Sequence, residues 1–330
     1  MRSVRIRYQK SLWFRALADS FCLMGDRGYR GLEYVHVCED KPDKSVRQVI
    51  EAVNSQIKLF NGVSRWGNIT IMLLGIVSLG SLGCLNNFSP KVFFYALNYL
   101  SMFIYERVHP EVLLVHLHGF ASNVKSSKVL ILRDFALKSG GFSLFAMDMD
   151  YQHTTTTRTL EVLDALIRGF CQRFKNLVLS GSSHGAYVIL NYLRFYSSQC
   201  VSKALLFAPS YSTLKLTLEE VGQELAKAWL EGKEELSFTE CETGLELTIH
   251  REFARDILEK GYEILEGDRV NFPTEPPVDL VIVHGTRDEV VPVEHSRIFV
   301  SKVKVKDYKE VDDDHRLSGT FKTLMEELLP

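Results

Sequence analysis

Residues 177–185 read Leu-Val-Leu-Ser-Gly-Ser-Ser-His-Gly, an apolar run that leads directly into a Gly-x-Ser-x-Gly pentapeptide. A helical pattern, His184–Tyr196, begins inside the pentapeptide, so the run is expected to be a strand that turns at once into a helix. Such a turn strains the backbone of its central residue, Ser183, and only glycine two positions to either side avoids a clash. The stretch therefore predicts a strand–turn–helix unit that projects the Ser183 hydroxyl from the end of the strand.

The same pattern continues through residues 108–330, where short apolar runs alternate with segments of helical periodicity. The predicted strands are Val112–Leu117, Phe142–Met147, Asn176–Ser180, Lys203–Phe207, Asp279–Val283 and Val305–Val311. This alternation favours crossover connections and predicts an α/β fold with a doubly wound, mainly parallel sheet covered on both faces. The alternation breaks at about 211–276, where a charged, helical pattern predicts a small lid inserted over the carboxyl edge of the sheet.

Two later loops hold the partners that a serine nucleophile needs. A serine hydroxyl attacks a carbonyl only when a base takes its proton, and the base needs an acid to orient it. Asp288 follows one predicted strand and His315 follows the next, which keeps the order serine, acid, histidine. Asp288 lies at the tighter point of its turn, and the adjoining Glu289 is the alternative acid. The acidic run 312–314 is expected to form a solvated loop.

A tetrahedral intermediate also needs backbone N–H donors for its oxyanion. The segment His118-Gly119-Phe120 follows an apolar strand, so the amide of Phe120 is expected to be one donor. The amide of His184, the residue after the nucleophile, is expected to be the other. The cysteines and histidines show no zinc-type spacing, and acyl transfer to a serine needs no organic cofactor, so we predict neither a metal nor a cofactor.

Four segments in this order resemble the α/β-hydrolase superfamily, nearest its serine aminopeptidase and esterase-like members. They are Val115–Asn123, Gly181–Gly185, His284–Pro292 and the late His315. The resemblance covers about residues 110–330 and implies an α/β-hydrolase fold. The implied site consists of Ser183 as nucleophile, Asp288 as orienting acid, His315 as general base, and Phe120 and His184 as oxyanion donors.

These residues predict a serine hydrolase that cleaves a carboxylic ester or thioester through an acyl-enzyme. Two alternatives stay open at the level of sequence: an amidase or peptidase of the same fold, and a non-catalytic membrane adaptor. The expected partner is a small-molecule or lipid-like acyl substrate. The balance of 39 basic against 41 acidic residues argues against nucleic acid as a partner.

The N-terminal third differs in composition from the rest. Residues 1–66 form a basic, polar extension whose acid-free start suits either an organellar presequence or a solvated helix face. Residues 67–107 form an apolar segment that suits either a membrane anchor or hairpin, or a pair of buried strands. The first arginines lead into no apolar secretory core, and the six cysteines are widely spaced. We therefore expect reduced thiols and a location at the cytoplasmic face, membrane-anchored if the apolar segment inserts, rather than secretion.

Overall fold

The computed structural model describes residues 23–25, 35–37, 103–149, 152 and 154–329. The chain divides into two compact units, Met1–Lys91 and Val92–Pro330. In the first unit, two short parallel strands are described, β1 (Leu23–Gly25) and β2 (Val35–Val37). The rest of the predicted extension 1–66, and the apolar segment as far as residue 102, lie outside the described residues. The alternatives for that segment therefore stay predictions.

A seven-stranded sheet forms the centre of the second unit. The strands of this unit are β3 (Phe103–Glu106), β4 (Val112–Leu117), β5 (Ser143–Met147), β6 (Asn176–Ser182), β7 (Val201–Phe207), β8 (Leu236–Thr239), β9 (Glu246–Ile249), β10 (Leu265–Glu266), β11 (Arg269–Val270), β12 (Asp279–Gly285) and β13 (Asp307–Val311). The order across the sheet is β13-β12-β7-β6-β4-β5-β3, and all neighbours are parallel except β3, which runs antiparallel to β5. The predicted mainly parallel α/β sheet is confirmed.

Helices connect the strands. They are α1 (Ser127–Ser139), α2 (Thr156–Cys171), α3 (His184–Phe195), α4 (Thr213–Val221), α5 (Gln223–Glu231), α6 (Arg251–Lys260), α7 (Val293–Lys302) and α8 (Phe321–Leu328). Residues 113–117 of β4 are all buried, as expected for a strand whose sheet is covered on both faces. Strand residues Leu114 and Leu205 share one core cluster with Leu132 of α1 and Phe321 of α8.

The chain changes direction across the sheet at β4. Strand β5 pairs with one edge of β4, and the next strand in sequence, β6, pairs with the other edge. In open α/β sheets, ligands bind beyond the carboxyl ends of the strands at such a switch point. The segments that leave β4 and β6 contain Phe120 and Ser183, so the topology brings two of the predicted site residues to one crevice.

The lid region predicted at 211–276 contains strands as well as helices. Helices α4, α5 and α6 are present, and β8–β9 and β10–β11 form two antiparallel hairpins that the charged sequence pattern did not indicate. Leu236 of β8 and Ile249 of β9 are paired in register and are both buried. The β8–β9 hairpin is therefore anchored by tertiary burial, which local propensity does not report.

The expectation of reduced thiols is wrong for one pair of cysteines. Cys171, at the end of α2, and Cys200, just before β7, form a disulfide across 29 residues of sequence, with their Cα atoms 5.6 Å apart. The Leu177 N–H at the start of β6 donates to the Cys200 carbonyl (2.7 Å), which draws the two segments together. Sequence spacing could not reveal this pair, because the sheet crossover creates the proximity.

The sheet also begins earlier than the predicted domain start at residue 108. Strand β3 covers Phe103–Glu106, the end of the predicted apolar segment, and pairs with β5 at the edge of the sheet. Among the helices within the described ranges, none combines the length and apolar character needed to cross a bilayer.

Candidate active site

Ser183 lies in the turn between β6 and α3 with φ 51° and ψ −115°, a conformation that residues with side chains rarely adopt. Its backbone N–H donates to the Phe207 carbonyl (2.9 Å), which holds the turn against β7. A Cβ at Gly181 would lie 2.6 Å from backbone atoms of the first turn of α3, and a Cβ at Gly185 would lie 2.2 Å from the Leu117 carbonyl oxygen. Space alone therefore requires glycine at both ends of the pentapeptide.

The loop after β4 passes next to Ser183. A Cβ at Gly119 would lie 3.5 Å from the Cβ of Ser183, an ordinary van der Waals distance. The Phe120 ring packs edge-on against the His184 ring with centroids 6.0 Å apart. The two residues predicted to supply oxyanion donors are thus in contact with each other, one in this loop and one at the first position of α3. Two backbone N–H groups on neighbouring segments are what a developing oxyanion requires.

His118 controls the orientation of the loop after β4. Its buried ring accepts the Met149 N–H at Nε2 (3.1 Å), so the ring proton lies on Nδ1 and is donated to the Gly119 carbonyl (2.8 Å). Burial lowers the pKa of His118 to about 4, and the ring is neutral near pH 7. The Gly119 carbonyl and the Phe120 N–H share one trans peptide plane and point in opposite directions. The bond from His118 therefore sets the direction of the Phe120 N–H.

The Asp288 side chain is fully buried and accepts four hydrogen bonds. Oδ2 accepts from His315 Nδ1 (2.7 Å) and His284 Nε2 (3.0 Å), and Oδ1 accepts from the backbone N–H groups of Val290 (2.9 Å) and Val291 (2.7 Å). Burial opposes ionisation of this carboxyl, but the hydrogen bonds from His284 and His315 outweigh burial and hold the pKa of Asp288 well below its usual range. Asp288 is an oriented carboxylate.

The structure separates Asp288 from the competing acids. Glu289 is exposed, and Asp288 is the carboxylate bonded to His315. In the acidic run before His315, Asp312 is exposed, in agreement with the expected solvated loop. For Asp313 that expectation is wrong, because its buried carboxylate accepts the N–H groups of Gly319 (3.0 Å) and Thr320 (2.8 Å) ahead of α8.

Ser183, Asp288 and His315 each follow the carboxyl end of a parallel strand, β6, β12 and β13 respectively. Asp288 and His315 are joined by a hydrogen bond. Within residues 154–329, no hydrogen bond joins the Ser183 hydroxyl to His315; such bonds often form only when substrate is bound.

His284 is a site residue whose contact with Asp288 was not predicted from the sequence, where it stands only as part of a motif. It is the sixth residue of β12, four positions before Asp288, and it is completely buried. A histidine inside an apolar strand is a weak signal, because most such residues are structural. Its contact with Asp288 could be recognised only after the strand and the following turn were positioned.

The β8–β9 hairpin of the lid contacts the loop after β4. The Cys241 N–H donates to the Ala121 carbonyl (2.9 Å), and the Phe238 ring packs edge-on against Phe120 with centroids 5.0 Å apart. Ala121 has a positive φ of 49°, so this contact holds a strained residue next to Phe120. Among the described residues, no group of three or more His, Cys, Asp or Glu side chains is arranged to hold a metal ion.

Comparison with solved structures shows the α/β-hydrolase fold. A protein from Agrobacterium vitis S4 matches with a TM-score of 0.54 and 20% identity over 66% of this chain and 86% of its own. The mouse α/β hydrolase domain-containing protein 10 matches with a TM-score of 0.51 and 18% identity, over 68% and 89% of the two chains. Est1E from Butyrivibrio proteoclasticus matches with a TM-score of 0.50 and 15% identity, over 69% and 94%.

At the level of sequence, a search of curated proteins finds no match. One family model does match, over residues 113–329, which is nearly the whole of the sheet and the lid. The match begins in β4 and ends after α8, so it includes every predicted site residue. The chain belongs to the uncharacterised protein family UPF0227.

Proposed function

We propose that this protein is a serine hydrolase that cleaves a carboxylic ester or thioester through an acyl-enzyme. The observation that carries the proposal is the combination of the strained Ser183 turn with the buried Asp288–His315 pair at one edge of the sheet. Strained backbone and buried charge both cost stability. Together they fit the requirements of nucleophilic acyl transfer.

In the proposed reaction, the Ser183 hydroxyl attacks the acyl carbonyl while His315 takes its proton. Asp288 accepts the other ring N–H of His315, which keeps the ring in the required tautomer and stabilises the imidazolium that forms. The amides of Phe120 and His184 receive the oxyanion. His315 then protonates the leaving alcohol or thiol, and a water molecule activated by His315 releases the acid from Ser183.

Labelling with a fluorophosphonate probe tests the nucleophile without knowledge of the substrate. We expect wild-type protein to be labelled, and Ser183→Ala and His315→Ala to show no labelling. Ser182→Ala is the matched control, because that neighbouring hydroxyl is buried and has no hydrogen-bond partner among residues 103–149 and 154–329. Labelling that survives in folded Ser183→Ala would contradict the proposal, and an unlabelled, folded wild type would support the non-catalytic adaptor instead.

Matched ester, thioester and amide substrates with the same acyl group test the bond that is cleaved. We expect ester and thioester hydrolysis to exceed amide hydrolysis, and to be lost in Ser183→Ala. Faster amide than ester hydrolysis would identify an amidase or peptidase.

We also propose that the acyl substrate is lipid-like and is met at a membrane, on the cytoplasmic face. The support is the uncharged, apolar run at residues 69–85, which is close to the length of a bilayer span. Flotation of the full chain with phosphatidylcholine vesicles tests this, with Leu73→Asp/Leu74→Asp as the disrupted variant. We expect the wild type to float and the variant to stay behind. Wild-type protein that does not float and cleaves only short-chain esters would refute the membrane proposal.

A further inference from the structure

A chain of buried hydrogen bonds continues behind Asp288. His284 Nε2 lies 3.0 Å from Asp288 Oδ2, the same oxygen that accepts from His315. His284 Nδ1 lies 2.7 Å from the Ser296 hydroxyl on α7, and the Ser296 hydroxyl lies 2.9 Å from the Tyr211 hydroxyl. We call Tyr211, Ser296 and His284 the acid-support chain. All three side chains belong to residues with 0% exposure.

The direction of the protons in the acid-support chain follows from its acceptors. His284 Nε2 faces two acceptors, Asp288 Oδ2 and the Val291 carbonyl (3.0 Å), so Nε2 carries a proton. Nδ1 then accepts from the Ser296 hydroxyl, and the Ser296 hydroxyl in turn accepts from Tyr211. This arrangement gives every proton an acceptor. Each donor strengthens the next one, and the whole chain points toward the carboxylate.

The acid-support chain also connects Asp288 with the lid root, by which we mean the place where Tyr211 meets Ile264 and Leu265. The polypeptide leaves the sheet for the lid at Tyr211. The Tyr211 carbonyl accepts the N–H groups of Ile264 (2.8 Å) and Leu265 (3.2 Å), in the segment where the polypeptide returns from the lid. Its ring packs on Phe299 of α7 with centroids 4.8 Å apart. The Tyr211 backbone is thus held by the returning end of the lid, and its ring is held by α7.

We propose that His284, held by Ser296 and Tyr211, is a positioning residue that sets how strongly Asp288 attracts the proton of His315. The proposal rests on the proposed function of His315 as a base. Two imidazole N–H groups share one carboxylate oxygen, so each weakens the attraction of that oxygen for the other. Without the His284 donor, Asp288 would stabilise a protonated His315 more strongly, and His315 would be a base over a narrower range of pH.

Other charged groups near this pair must stay constant for the effect to be read. On the His315 loop these are Asp313, Asp314 and Arg316. On α1 the group is Lys128, which acts electrostatically on the acids of that loop and on Asp288. Beside His284 they are Glu310, paired with it on β13, and His295 on α7. The variants below leave all of them unchanged. A difference between variants therefore reports on the acid-support chain.

The test is the pH titration of the His315 ring by NMR, recorded in the Ser183→Ala background, together with the pH profile of kcat/KM in the active protein. We expect His284→Phe to move both midpoints upward by on the order of half a pH unit. Ser296→Ala should move them less and Tyr211→Phe least. His284→Gln restores a side-chain N–H near Asp288 and should return the midpoints toward the wild type. Tyr192→Phe, which removes a buried hydroxyl outside the acid-support chain, should change neither.

Unchanged midpoints in folded Ser296→Ala and Tyr211→Phe would overturn the proposal even if His284→Phe did not fold. The NMR titration does not depend on turnover. A shift of the NMR midpoint in a protein that is inactive in every form would therefore contradict the proposed function but still support the role of the acid-support chain.

Discussion

The Ser183 turn and the Asp288 loop lie at the same edge of the sheet but are held by different forces. At Ser183, backbone contacts leave no space for a Cβ at the flanking glycines, with distances of 2.6 and 2.2 Å, and the serine between them has a strained φ. At Asp288, four hydrogen-bond donors orient a buried carboxylate. The turn requires only that two positions lack a Cβ, which the pentapeptide supplies, whereas the polar site also requires a donor from a separate loop, that of His315.

The two regions should therefore fail differently when altered. Substitution in the turn should lower the free energy of unfolding, because the clash exists whether or not substrate is bound. Substitution at the polar site should chiefly lower the rate, because its orientation matters most in the transition state.

The largest effect is expected for Asp288→Asn. The amide group presents N–H where His315 requires an acceptor, so the ring is held in the wrong tautomer and kcat should fall by about 10⁴-fold. Initial rates with an activated ester measure this. The control is Asp312→Asn, since Asp312 is exposed, and it should retain nearly full activity. More than a tenth of wild-type activity in folded Asp288→Asn would rule out the assigned role of the carboxylate.

The next largest effect is expected for Gly185→Ala. A Cβ there would lie 2.2 Å from the Leu117 carbonyl oxygen and 2.6 Å from that of His118, so the backbone must move and the free energy of unfolding should fall by about 3 kcal/mol. Urea denaturation measures the change. Gly169→Ala in α2 meets nothing within 4 Å and should instead stabilise the protein by up to about 1 kcal/mol. Equal effects from both substitutions would contradict a steric origin.

Glu263 is the converse of Asp288. Burial has the larger effect on the pKa of Glu263, whereas hydrogen bonds have the larger effect on the pKa of Asp288. Burial raises the pKa of Glu263 to about 7, although its carboxylate accepts the N–H groups of Leu214 and Lys215 at the start of α4. In the unfolded chain a glutamate titrates near pH 4.3, so between about pH 4.3 and 7 the folded form binds the extra proton. The stabilisation from Glu263 is therefore complete below about pH 4.3 and is lost as the pH rises through 7.

Glu263→Gln should remove that loss of stability, which amounts to as much as about 3 kcal/mol between pH 4.3 and 8. Urea denaturation at several pH values measures the slope. Glu259→Gln, an exposed site on α6, is the matched control and should leave the slope unchanged. A slope identical in Glu263→Gln and wild type would show that Glu263 is ionised in the fold.

The smallest effect is expected at the contact between the lid and the loop after β4. The Ser122 hydroxyl donates to Glu242 of the β8–β9 turn (2.8 Å) at an exposed position. Ser122→Ala should cost about 0.5 kcal/mol and lower kcat/KM by less than about threefold, because Cys241 still bonds Ala121. Ser127→Ala, an exposed serine on α1, is the control for thermal stability and rate. A tenfold loss of kcat/KM in Ser122→Ala, without a loss in Ser127→Ala, would show that the lid contributes more than expected to the orientation of this loop.

Local features of the sequence were sufficient for six of the seven strands of the central sheet, all but β3, and for the Ser183 turn. Apolar runs and helical patterns predicted the strands, because each depends on residues a few positions apart. The Gly-x-Ser-x-Gly pentapeptide predicted the turn because it supplies glycine at the two crowded positions, although the crowding at Gly185 comes from Leu117 and His118, which are distant in sequence. The Asp288–His315 pair was predicted from chain order, and the structure joins these two residues by a hydrogen bond.

Features that depend on distant segments became visible only in the fold. His284 meets Asp288, Ser296 and Tyr211 because β12, α7 and the lid root pack together, and nothing in the local pattern distinguishes it from other histidines. The buried Asp313, the disulfide and the β8–β9 hairpin were missed for the same reason. Periodicity and turn chemistry act over a few residues, whereas hydrogen-bond partners and burial are set by contacts between segments far apart in sequence, and those contacts exist only once the chain has folded.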